Sequence, residues 1–419
     1  MEQSAPRSQY KGWIVVASKF WPALSALIIG GLVVACGTPG SAGTETSDVV
    51  KVAIIPPSSG ALAQFGSDAA DAWQFAVDEV NASGGVAGRQ IELVRVDTDA
   101  TPATTVRAAR EAVTQQGASF IGAVMTSTEH GALNAQLPGL NALSFNGLGK
   151  DDALTGKDCN ANAFRAVQST TMDMNALAAS LAELPGDKWA IQAVDYSTGH
   201  TSAEIFKEAA AKAGKTVVLE QYAPLNTTEF GSYISKIVAS DADALFAVEF
   251  GADGIAFVNQ AAQFNLADRF ETVLGFNMVS EPLFDALGDK ILGYYNNLGY
   301  DVNGENALNT KFVTDWAAKH GGEKPYYVVA DNYLAAQVLF EGIEKANSAD
   351  PADVSAALND LTFDSIVGEV TMRGEDHQLI RPSYLGKIVK DDNGALAFEA
   401  VTASAGADII PLVDPACVL

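Results

Sequence analysis

Val50-Lys51-Val52-Ala53-Ile54-Ile55-Pro56-Pro57-Ser58-Ser59-Gly60-Ala61-Leu62-Ala63-Gln64-Phe65-Gly66 is the stretch that decides the fold. Its first six residues form a nearly continuous apolar run rich in β-branched side chains, the pattern of a strand buried on both faces. Pro56-Pro57 breaks the run and a loop of small residues follows. A helix is then expected, with Trp73, Val77 and Val80 on one face and Asn81-Ala82-Ser83-Gly84-Gly85 ending it. Strand, glycine-containing loop and helix open a doubly wound α/β domain, in which ligands lie beside the carboxyl ends of the strands.

The alternation continues outward from this unit. Strands are expected over residues 91–96, 119–124 and 142–145, with a helix over 104–116 between the first two. Thr126-Ser127-Thr128-Glu129 carries the capping-box pattern of a helix start. A second strand–helix array runs over residues 172–274. The last third opens no third array. Its helices over 306–319 and 326–346, and its strands over 367–372, 384–390 and 397–401, need existing sheets to pack on, so the chain is expected to cross between two α/β domains more than once.

A formal charge of −25 over 419 residues argues against nucleic acid as a partner, because phosphate recognition needs clustered Lys and Arg. His130, His200, His320 and His377 are scattered without metal-ligand spacing, and neither a Gly-x-Ser-x-Gly elbow nor a phosphate loop is present. No metal, cofactor or catalytic activity is expected.

Arg7, Lys11 and Lys19 precede an apolar run over residues 20–35 that ends Leu32-Val33-Val34-Ala35-Cys36. Interrupted by Pro22 and Gly30-Gly31, the run is short for a stable spanning helix. The approach to Cys36 resembles a bacterial lipobox. That implies a signal peptide over 1–35, acylation of Cys36 and a membrane-anchored protein with a flexible tether over 36–48. An uncleaved signal anchor reaching back over 12–18 is the alternative; either places the folded part outside the cytoplasmic membrane. Cys159 and Cys417 then remain as an even pair in an oxidising compartment, and a disulfide is expected between them. It would close a loop of about 260 residues, worth at most roughly 5 kcal/mol in the chain-entropy model.

With its elements in this order, the chain resembles the leucine/isoleucine/valine-binding family of extracytoplasmic solute receptors for ABC importers. The residues that carry the resemblance are Lys51 to Pro56, Ser59-Gly60, Gln64-Phe65-Gly66, Asn81 to Gly88, Asp97 to Pro102 and Phe120-Ile121-Gly122 with the Ser/Thr loop after it. Ala163-Phe164-Arg165, residues 241–260 and residues 368–373 continue it. The resemblance implies two Rossmann-like lobes with parallel-sheet cores joined by three hinge crossovers, the type I periplasmic binding fold. Lobe 1 would be 49–167 plus 299–369, lobe 2 would be 168–298 plus 370–404, and 405–419 a C-terminal tail. It also implies a monomer that closes over a small, partly apolar carboxylate, a branched-chain or other hydrophobic amino acid or a related organic or aromatic acid. That ligand would be delivered to ABC transporter permease subunits. A membrane-tethered sensor of the same fold and, further off, a secreted α/β enzyme are the alternatives.

The resemblance also supplies site residues. Thr126, Ser127 and Thr128 occupy the position that holds a ligand carboxylate, and a helix N-terminus with hydroxyls suits an anion. Thr126 as a simple helix cap is the competing reading. Phe65 would cover the ligand, while Gly147, Leu148 and Gly149 would bind it through backbone groups. From the second lobe, Tyr196 and Phe250 would add aromatic contacts. Asn277 stands where amino-acid binders carry a Glu for the ligand ammonium, so that ion pair is missing at its usual place. Glu249 or Glu281 could replace it.

Overall fold

The computed structural model describes residues 49–60 and 62–419. The signal peptide expected over 1–35, Cys36 and the tether expected over 36–48 lie outside the described residues.

β1 (Val50–Ile54) takes the interior place its apolar run predicts, in parallel register with both β2 (Ile91–Arg95) and β3 (Phe120–Gly122). β4 (Leu143–Asn146) and β5 (Ala163–Arg165) complete a five-stranded parallel sheet in the order β2-β1-β3-β4-β5. The connections carry α1 (Ala63–Ala82), α2 (Pro102–Gln116), α3 (Ser127–Asn134) and α4 (Leu137–Leu140). Trp73 on the inner face of α1 lies so close to β3 that a Cβ on Gly122 would sit 2.2 Å from its ring.

The chain then crosses to the second lobe. α5 (Thr170–Ser180), β6 (Lys188–Val194), α6 (Ser197–Lys212), β7 (Thr216–Ala223), α7 (Gly231–Ala239) and β8 (Ala244–Val248) follow in turn. α8 (Gly251–Gln263), α9 (Leu266–Arg269), β9 (Thr272–Gly275), α10 (Phe284–Leu287) and β10 (Tyr295–Leu298) continue the array. One face of this sheet buries Trp189, Phe206 and Phe246, the other Phe230, Leu245 and Phe257.

A second crossing at Gly299 returns the chain to the first lobe as α11 (Ala307–Lys319), α12 (Tyr327–Ala346) and α13 (Pro351–Leu358). α12 packs on α1, and Leu334 and Val338 share a core with Trp73 and Phe75. β11 (Thr362–Ser365), β12 (Gly368–Met372) and β13 (Leu379–Ile380) then form a small antiparallel sheet. Here the lobe boundary read from the sequence is corrected. Val370 does not open lobe 2: Val370, Met372 and Leu379 alternate into the first lobe's core. The third crossing comes at Arg381-Pro382, after which β14 (Ser383–Lys390) and β15 (Leu396–Ser404) add antiparallel strands to the second sheet. Its order is β15-β14-β10-β9-β8-β6-β7.

The tail beyond Ser404 is built into the structure. α14 (Gly406–Ile409) places Ile409 against Met172 and Ala176 of α5. Arg373 Nη1 donates to the Pro411 carbonyl, and Cys417 is bonded to Cys159 of the first lobe with their Cα atoms 5.5 Å apart.

Candidate ligand-binding site

Two helix starts, after β1 and β3, and the loop after β4 form the first side, or first wall, of the candidate site. After β1 the chain turns at Gly60 and enters α1 so close to Pro57 that a Cβ on Gly66 would lie 2.1 Å from the Pro57 carbonyl oxygen. This sets half-buried Phe65 in the first turn of α1, its ring 6.4 Å from that of Tyr326 just ahead of α12. Tyr326 and Tyr327 meet edge-on at 5.5 Å, so Phe65 joins a cluster of three rings.

After β3, Ala123 holds φ 58° despite its Cβ, and Thr126 caps α3. The Thr126 and Glu129 groups satisfy each other: Thr126 Oγ1 accepts from the Glu129 N–H (3.2 Å), and the Thr126 N–H donates to Glu129 Oε2 (2.9 Å). The Thr126 hydroxyl also donates to that oxygen, and so belongs to the cap. Ser127 Oγ accepts from the Asp151 N–H (3.1 Å), and Thr128 is exposed. What this corner presents to an anion is therefore the Ser127 and Thr128 N–H groups, which have no acceptor within a helix's first turn.

The β4 loop differs from expectation. Asn146 Oδ1 accepts from both the Leu148 N–H (2.9 Å) and the Gly149 N–H (2.7 Å), so those groups are not free for a ligand. Gly147 packs against α12, where a Cβ would lie 3.0 Å from the Asp331 carbonyl oxygen. Leu148 contributes its half-buried side chain.

The second wall comes from the carboxyl ends of β6, β8 and β9. Tyr196 caps α6 and Phe250 caps α8, and their rings stand edge-on at 6.2 Å. Glu249, between β8 and Phe250, is fully buried; Gln192 Nε2 donates to its Oε1 (2.8 Å), and its Oε2 has no partner among the described residues. Burial, helped by the neighbouring Asp253 charge, pushes this carboxyl up to about 7. Glu281 opens the turn Glu281–Leu283 beyond β9; its Oε2 is likewise buried and unpartnered, and burial pushes it up to about 7. Asn277 is exposed in the left-handed region (φ 51°) and tied to Asn297. Its N–H donates to Asn297 Oδ1 (2.7 Å), and its Oδ1 accepts from Asn297 Nδ2 (2.8 Å).

Among the described residues no group of three His, Cys, Asp or Glu stands close enough to hold a metal ion. His130 and His377 are buried and depressed to about 4 by that burial, which keeps both imidazoles neutral. A groove of about 350 Å³ between α5 and α6, lined in part by Asn175, Ile205, Glu208 and Lys212, shares no residue with either wall.

Residues 49–394 match the family described as periplasmic binding protein. The chain belongs to that family. It is 27% identical over 382 residues to Leu/Ile/Val-binding protein homolog 8 of Brucella suis biovar 1 (strain 1330), covering 87% of this chain and 93% of the relative. Among solved structures, an amino acid ABC transporter substrate-binding protein from Pseudomonas fluorescens Pf-5 superposes with a TM-score of 0.79 at 26% identity, over 89% of this chain and 99% of the other. The fold is also that of a Rhodopseudomonas palustris BisB5 solute binding protein of an ABC transporter, solved with 3,4-dihydroxy benzoic acid. Its TM-score is 0.76 at 22% identity, over 86% and 98% of the two chains. The resemblance read from Lys51 to Arg373 and the two-lobed fold are borne out.

In this periplasmic binding protein, one residue the sequence did not mark connects all three crossings. Arg381, fully buried in the third, pairs with Asp331 Oδ1 of α12 (2.6 Å) and donates to the carbonyls of Ala166 in the first (3.2 Å) and Gly299 in the second (2.7 Å). Gln168 Nε2 adds bonds to Gly299 and Pro382. Beside them Lys150 pairs with buried Asp173 of α5 (2.7 Å), which also accepts from Ser383 Oγ (3.0 Å) and lies 3.4 Å from Asn297 Nδ2. A lone Arg before a Pro carries no local signal of this role.

Proposed function

We propose that this protein is the extracytoplasmic receptor of an ABC importer, lipid-anchored through Cys36, and that it captures a small, partly apolar carboxylate by closing its lobes. It acts as a monomer and delivers its ligand, without chemistry, to the permease subunits. The observation that carries this reading is the first wall. Two helix N–H groups at Ser127 and Thr128 lie on the lobe that also carries the rings of Phe65, Tyr326 and Tyr327, so an anion site and an apolar cover share one side of the cleft. Tyr196, Phe250, Gly147, Leu148 and Asn277 complete the proposed surround. Relatives named for leucine, isoleucine and valine, and a structural neighbour solved with a dihydroxybenzoic acid, bracket the ligand class.

A ligand bridging both lobes stabilises the closed form only by its differential affinity for that form. Thermal shift and calorimetry across hydrophobic amino acids and aromatic acids should give at least one ligand that raises the melting temperature, with compaction by small-angle scattering. A response confined to sugars or metal ions would refute the carboxylate reading.

A further inference from the structure

The last residues of the chain hold on to both lobes at once. β15 ends at Ser404 in the second sheet, and α14 follows it onto the third crossing, where a Cβ on Gly406 would lie 2.5 Å from the Arg381 backbone nitrogen. Ile409 packs on Met172 and Ala176 of α5, and its carbonyl accepts from Asn175 Nδ2 (2.8 Å), so up to this point the tail belongs to the second lobe. Two residues later it belongs to the first. The Pro411 carbonyl accepts from Arg373 Nη1 (2.8 Å), and that guanidinium is itself fixed by a two-pronged pair with Asp376 (2.8 and 2.6 Å). A Cβ on Gly156 would lie 2.7 Å from Asp414 Oδ2, and the Cys417 N–H donates to the Asp414 carbonyl (2.9 Å), a turn that brings Cys417 to Cys159. Little of this segment is core. Leu412 is 95% exposed, and a terminus with so little burial frays unless it is tied down. The disulfide is the tie.

We propose that residues 405–417 are a fourth connection between the lobes, a strap whose disulfide to Cys159 limits how far one lobe rotates against the other. The three crossings meet at one place, because Arg381 reaches the carbonyls of both Ala166 and Gly299. Joined only there, the lobes would share a pivot and keep their freedom to turn about it. A second attachment away from the pivot removes part of that freedom, and the strap supplies one. Ile409, held on α5, and Pro411, held by Arg373, are two residues apart, a reach of at most about 7 Å. Any rotation that carries α5 further than this from Arg373 has to break one of the two holds, and with the end bonded to Cys159 the tail cannot slip to relieve it. This inference rests on the reading of the lobes as bodies that close on a ligand and adds a limit to their travel.

The test is made on the full-length protein without ligand. Genetically encoded spin labels that use no cysteine replace exposed Glu92 on the first lobe and exposed Glu271 on the second, and pulsed electron spin resonance gives the distribution of distances between them. Three labelled proteins are compared: the otherwise wild-type chain, C159S/C417S, and a chain with eight Gly and Ser residues inserted between Ile410 and Pro411. The insertion keeps the disulfide and both anchors but adds roughly 15 Å of reach, so both variants should show a distribution at least about twofold wider than the wild type. The insertion variant should still melt within about 2 °C of the wild type, because no packed contact is lost. Unchanged widths in both variants would overturn the inference. Widening in C159S/C417S alone would trace the effect to the first lobe's own stability and remove the strap as its cause. Widening in the insertion variant alone would overturn the role of the disulfide. Compaction of the wild type by hydrophobic amino acids or aromatic acids is a separate measurement. If it occurs while the widths stay equal, only the strap is refuted; if it fails while the widths differ, only the receptor reading is.

Discussion

At the hinge, Arg381 stands against Asp331 and Lys150 against Asp173; on the second wall, Glu249 and Glu281 hold buried oxygens with no cation paired to either among the described residues. Both arrangements take charge out of water, but only the first returns an opposite charge at 2.6–2.7 Å. The difference teaches what each region is for. A paired buried charge fixes one geometry, because separating the partners leaves both unsolvated. An unpaired one costs the fold stability for as long as no donor or counter-charge reaches it.

Removing one charge from each region should therefore have opposite effects. R381A leaves Asp331 buried and alone and frees three chain crossings from a common donor. It should cost about 3–5 kcal/mol of stability in denaturant unfolding. A loss below about 1 kcal/mol would mean that the pair does not hold the hinge.

E249Q should do the reverse at neutral pH and above. The Glu249 carboxyl has an ordinary value of 4.5 and lies near 7 in the folded protein. Between those values the folded state keeps a proton that the unfolded state has lost, so stability falls as pH rises through that window. The full loss is up to roughly 3 kcal/mol above pH 7. E249Q should match the wild type near pH 4, exceed it by about 1–3 kcal/mol at pH 8, and flatten the pH profile between. A variant less stable than wild type at pH 8 would reveal a counter-charge on this wall and collapse the contrast with the hinge.

The smallest effect sharpens the comparison from the first wall, where the polar groups are helix ends. Because the Thr126 side chain is committed to Glu129, T126A should cost about 1 kcal/mol of stability. Ligand affinity should change less than threefold, since the Ser127 and Thr128 N–H groups remain. A loss of binding without a loss of stability would move the Thr126 hydroxyl from cap to contact.

What could be read ahead of the structure was local. The run Val50 to Ile55, the prolines after it and the glycines around Phe65 fix a strand, a turn and a helix within one window. The capping box at Thr126 needs four consecutive residues, and the Cys159–Cys417 pairing needs only a count and a compartment. What escaped depends on distant segments meeting. Tyr326 joins Phe65 only because α12 returns to α1, and Arg381 matters because three crossings converge on it. Val370 fits either lobe by its sequence, because a short strand looks the same whichever core it faces, and the fold puts it in the first. Asn146 does carry a local signal: an Asn two residues before a backbone N–H is a standard turn former, and it holds the Leu148 N–H here.

The bond between Cys159 and Cys417 makes most of the folded chain a covalent ring. Cys159 precedes the first crossing and Cys417 follows the third, 258 residues later, so all three crossings lie inside the ring. A protease that cuts any one of them opens the ring without dividing the molecule, and the two lobes stay joined until the disulfide is reduced.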